Sequence, residues 1–188
     1  ILGNEVQSIA NDALTDLDTA NPNVVRLNYG RYPHGKLTQV FNKKAAESMA
    51  GIQSGGVIEW AKSLLSKGWH RLCGKELPCY VGHPYLPGAE KTADKSAKGW
   101  LNKIIANEDH AEFHFEWNEE GQKLIASKAF RYISPQWLVT VKGNEVFPFA
   151  MESCGLTNNP NTPCTPLANE DEGQSAETFG NEEPTAEQ

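Results

Sequence analysis

The sequence has few cationic clusters: no Lys/Arg run is longer than Lys43-Lys44, and the net charge is −7. Binding to a polyanion needs a basic face, so nucleic acid is not an expected partner. Long apolar runs are missing as well. None approaches the roughly 20 residues that span a bilayer as a helix, so no membrane partner is expected. Cysteine is scarce. Cys73, Cys79, Cys154 and Cys164 form no paired C-x-x-C pattern, which argues against zinc, and free thiols are expected in a chain read as cytoplasmic. No serine lies in a G-x-S-x-G elbow, and Gly55-Gly56 precedes no phosphate-binding lysine motif. Neither a metal nor a cofactor is expected. The first residues carry acids and amides where a secretory leader carries basic and then apolar residues, so no leader is expected. The opening Ile1 is compatible with a fragment or a processed product.

What is present is an ordinary globular composition, 39% hydrophobic and 22% charged over 188 residues, enough for one domain with a core. Three parts are expected: a polar, loosely attached segment over 1–23, a folded domain over 24–167, and an acidic tail over 168–188. The tail holds Glu170-Asp171-Glu172, Glu177 and Glu182-Glu183 with Phe179 as its one large apolar residue. Burial there cannot offset the entropy of ordering, so disorder or a linker to a further segment is expected.

Within the domain, Val24 to Tyr29 reads as a strand closed by Gly30 and a Pro33-His34-Gly35 turn. Asn42 caps a helix with Ala45, Ala46, Met49 and Ala50 on one face, interrupted by Gly51. A second amphipathic run carries Ile58, Ala61, Leu64 and Leu65. Pro78 to Val81 is a short strand running into Gly82-His83-Pro84, and Gly99 to Ile105 is another. From Ala111 to Trp117 the alternation is strict: Phe113, Phe115 and Trp117 face one way, Glu112, His114 and Glu116 the other. Asn118 caps a short helix, with Leu124, Ile125 and Ala126 as its buried side. A strand around Ser134 leads into a hairpin through Lys142-Gly143-Asn144-Glu145, and an extended run continues to Leu156. Strands outnumber helices and mostly follow one another. The expected class is α+β, a mostly antiparallel β-barrel with packed helices.

Ser134 stands among large side chains in Ala129 to Trp137, and His83 sits in a glycine–proline bend. A strand serine is ordinarily only a strand residue. It becomes a nucleophile when an imidazole takes its proton and a third group orients that imidazole. Adjacent strands lie about 5 Å apart, so residues on separate strands can make such a pair. A thiol pair built on Cys79 or Cys154 is the other nucleophile available, with nothing local in its favour.

The order of several short motifs adds to this. Asn28-Tyr29-Gly30, Tyr80 to Pro84, Lys98-Gly99-Trp100, Glu116-Trp117 with Gly121, Phe130 to Trp137 and Gly155 to Asn161 follow one another over about 24–167. The set resembles the Mu-like prophage I protein family, head-maturation proteases of Mu-like phages, related to prohead proteases and herpesvirus assemblins. The resemblance implies a barrel surrounded by helices of the prohead protease/assemblin type. It also implies a serine endopeptidase, with Ser134 as nucleophile and His83 as base. For the third member, Glu152 has suitable chemistry, counting back from Pro160 favours Ser153, and Glu116 is a fallback. Tyr85 stands where an acid often follows Gly-His-Pro. The implied partners are phage scaffold protein, major capsid protein and the chain itself by autoprocessing, and a homo-oligomer is compatible. The implied location is the assembling prohead in the bacterial host cytoplasm. The alternative is a non-catalytic scaffold or assembly module of the phage head.

Overall fold

The computed structural model describes residues 21–56 and 73–167. The N-terminal segment, the second amphipathic run with His70, and the acidic tail lie outside the described residues.

Among the described residues eight strands form one mixed sheet: β1 (Val24–Asn28), β2 (Gly30–His34), β3 (Leu37–Phe41), β4 (Leu77–Val81), β5 (Gly99–Ala106), β6 (His110–Trp117), β7 (Tyr132–Lys142) and β8 (Glu145–Thr157). The order is β1-β6-β5-β4-β8-β3-β2, with β7 on the other edge of β8. Most pairs are antiparallel, but β3 and β4 both run parallel to β8. Among the described residues the sheet curls into a half-barrel, so the expected barrel is only partly closed. Among the described residues two helices accompany it, α1 (Lys43–Gln53) and α2 (Glu119–Ala126).

Local chemistry accounts for these elements. Asn42 and Asn118 cap the two helices through their side-chain oxygens, which accept from Ala45 N and Gly121 N at 2.9 Å each. α1 runs through Gly51, because buried Met49 and Ile52 hold it on the core and one glycine costs only about 1 kcal/mol. In α2, Gly121 and Ile125 are buried while Ala126 is exposed. Where a simple turn was expected after Gly30, β2 and β3 form a hairpin about Gly35, which has φ +62°. Pro33 sits on β2, whose outer edge can spare an N–H.

The alternation of β6 is realised: Ala111, Phe113, Phe115 and Trp117 are buried. Phe113 and Phe41 both pack on Trp137, with ring centroids 6.3 and 5.4 Å away. These aromatics tie β3, β6 and β7 across the concave face. The opposite face of β6 is a surface network, with Glu112 3.4 Å from Arg26 and 3.3 Å from His114.

Lys98 joins the long β4–β5 loop to α2. The residue is 1% exposed, yet its Nζ donates to Asp94 (2.6 Å) and Ser96 (2.7 Å) and lies 2.8 Å from Glu120. Its neighbours are glycines for a steric reason. A Cβ on Gly121 would collide with the Lys98 carbonyl, and one on Gly99 would meet Glu116 O at 2.8 Å beside the Trp117 ring. The Lys-Gly-Trp and Glu-Trp…Gly motifs are thus two halves of one packing joint. Replacing Lys98 by Ala removes a buried aliphatic stem and leaves two carboxylates facing each other. A loss of about 2 kcal/mol is expected, read as a lower urea midpoint at unchanged m-value.

Candidate functional site

β8 lies between β4 and β7, with Tyr80 paired to Gly155 on one side and Ser134 on the other. A side chain from the end of β4 must therefore cross a whole strand, about 10 Å from axis to axis, to meet Ser134. The chain does this in one turn. Gly82 takes φ +60° and donates its N–H to Leu156 O at 3.1 Å, which folds His83 back over β8. The crossing point is Gly155. A Cβ there would clash with the Gly82 carbonyl and come within 3.1 Å of His83 Cε1. With no side chain in the way, His83 Nε2 reaches 3.2 Å from Ser134 Oγ.

The two residues predicted from separate segments thus come together. Burial holds the His83 pKa below its ordinary 6.5, so the ring is neutral at neutral pH and free to accept a proton. Its Nδ1 is buried and has no hydrogen-bond partner among the described residues.

Glu152 does not orient the imidazole. It is the extra residue of a bulge on β8, between the pairs Gln136–Ser153 and Trp137–Met151. There it is exposed, and its carboxylate accepts from Gln136 Nε2 at 2.9 Å. Ser153 does share the face of Ser134 and Gly155, but its hydroxyl donates to Gln136 Oε1 at 3.2 Å. Glu116 is remote, with β5, β4 and β8 between its strand and β7. Among the described residues the arrangement is a dyad.

Asn158 fixes the approach to the serine. Its amide donates to Ala129 O at 2.8 Å and its oxygen accepts from Arg131 N at 3.0 Å. That explains the Thr-Asn-Asn-Pro motif as a brace for the entry to β7. Tyr85 is exposed and packs edge-on against Tyr80, with Lys95 Nζ 5.4 Å from its ring centroid. The alternative thiol nucleophiles are excluded by burial, which pushes Cys79 and Cys154 well above the ordinary thiol range.

The dyad opens into a cleft of about 430 Å³ that runs along β7 toward β3. His34, placed by the sequence in a turn, lines it together with Gln39 and Thr162. A second cavity of similar size lies beside α1, but its Ser48 donates to Phe149 O and no imidazole faces it.

Gly82 already signals the bend in the sequence; the signal left unused is Gly155, a glycine inside a strand, which marks a close backbone approach. Gly155→Ala should separate the pair while leaving the sheet intact. In imidazole NMR the wild-type His83 should titrate below 6.5, and the variant should move toward that value as the ring is pushed outward. An unchanged titration would mean that Gly155 does not govern the contact.

Residues 57–168, more than half of the chain, match the family described as Mu-like prophage I protein, N-terminal domain. No curated protein and no solved structure gives a match. The chain therefore belongs to the Mu-like prophage I protein family.

Proposed function

We propose that this domain is a serine endopeptidase of phage head maturation, of the prohead protease/assemblin type. The observation that carries the reading is the 3.2 Å contact between Ser134 Oγ and a neutral, half-buried His83 at the end of an open cleft. Membership of a prophage family supplies the phage context.

In this reading Ser134 Oγ attacks a peptide carbonyl while its proton passes to His83 Nε2. The tetrahedral intermediate collapses, the C–N bond breaks, and the imidazolium returns its proton to the leaving amine. Water then enters by the same route and releases the acyl group from Ser134. The depressed pKa of His83 keeps the base unprotonated at rest. Among the described residues no carboxylate meets Nδ1, so within them the transient imidazolium is stabilised by the surrounding dipoles, which favours a modest rate. Scaffold protein, major capsid protein and the chain itself are the proposed substrates. The proposed setting is the prohead inside the bacterial host cytoplasm.

That Nδ1 meets no partner among the described residues favours a second reading, in which the domain is retained as a non-catalytic assembly module. Co-expression with the scaffold, followed by mass spectrometry of the products, separates the two. Ser134→Ala should abolish processing without changing the circular dichroism, whereas unchanged products reject Ser134 as nucleophile. The acid limb gives an independent check. The active form has neutral His83, so kcat/KM should fall as pH drops through a midpoint below 6.5 and be flat above it. A midpoint above 6.5 would contradict a base held neutral by burial.

A further inference from the structure

The outer edge of β7 carries the next step. Among the described residues, β7 is 11 residues long and pairs only with β8. Ahead of it, Arg131 O accepts from Leu167 N at 2.6 Å, and near its start Ile133 O receives the Cys164 thiol at 3.7 Å. From Ser134 to Val141 the outward peptide groups have no backbone partner among the described residues. An edge of that length is a template for another strand.

The cleft follows this edge and takes in side chains from both faces of β7. Ser134 and Gln136 come from one face, and Trp137, Val139 and Val141 from the other. A cavity that holds both parities of a regular strand must wrap around its edge. Its floor on the concave side is apolar, and Val139 and Val141 are 39% and 63% exposed there.

We propose that this edge binds the polypeptide to be cut, as an added strand antiparallel to β7. This rests on the peptidase reading above and names its substrate class: an extended segment with apolar, preferably β-branched, side chains at alternate positions. The antiparallel direction follows because its ladder is the more stable of the two. It delivers the scissile carbonyl to Ser134 with the residues before the cut lying along Gln136 to Val141. Seven residues of β7 span about 24 Å, enough for about six or seven substrate residues. Alternate side chains drop onto Val139 and Val141 and fill the open side of the half-barrel. The others lie outward past Gln136, where polar groups suffice. The same alternation makes the binding sensitive to register, since a slip of one residue turns every apolar side chain outward.

The test uses the full chain carrying Ser134→Ala, so that binding is read without turnover. A fluorescent octapeptide alternating Val with Ser or Thr is titrated by anisotropy. Beside it run a peptide of the same composition in blocked order and one N-methylated at alternate backbone amides. The expected result is saturable binding of the alternating peptide, at least tenfold weaker for the blocked peptide and for one of the two N-methylation registers. Val139→Lys with Val141→Lys should weaken it tenfold as well. The N-methyl series on otherwise unmutated chain reads the same contact should that pair fail to fold. Equal binding of all peptides, or no binding, overturns strand addition even if the wild-type chain cleaves scaffold. Discriminating binding with no cleavage by the wild-type chain keeps the docking edge and removes the peptidase.

Discussion

A missing side chain governs this site. His83 belongs to the end of β4 and Ser134 to β7, and the longest strand of the sheet runs between them. They meet only because position 155 presents bare backbone at the point of crossing, and because Gly82 turns the chain there through a conformation that a substituted residue rarely adopts. Both positions give up the strand propensity of an ordinary residue, because a Cβ at 155 would meet the Gly82 carbonyl and φ +60° at position 82 suits glycine. The stability forgone is small, of order 1 kcal/mol at each position, and what it permits is a base poised over a hydroxyl two strands away.

Around that crossing the fold is braced at three separate places. Lys98 locks the far end of the loop that begins at His83 to the first turn of α2. Asn158 holds the chain just before β7 from both sides. The Phe41–Trp137–Phe113 cluster fixes β7 from below. None of these groups does chemistry. Together they limit how far Ser134 and His83 can drift apart, and a contact between two side chains needs such a rigid frame to persist.

Much of the fold could be read directly. Alternation in Ala111 to Trp117, the two asparagine caps and the Gly143-Asn144 turn are local signals, and local signals survive into the structure. The β2–β3 hairpin was hidden because Pro33 and His34 make a strand end look like a loop. The degree of closure was hidden because it depends on which edges meet, which no window of sequence contains. The candidate pair was legible only through the order of motifs. The misplaced acid shows the limit of counting: Glu152 has the right chemistry and nearly the right position, but a bulge removes it from the ladder, and the residue next to it inherits the inward register.

That bulge has a consequence for variation in this protein. In a regular ladder the Glu152 carboxylate would take the place opposite Trp137 that Met151 fills in the packed interior. With the bulge, position 152 answers to neither the interior nor the ladder and stands one amide away from the cleft. It is the spot on β8 where an acid, an amide or a hydroxyl can be exchanged at little cost to folding. Drift there would alter the charge beside the opening while the frame beneath stays as it is.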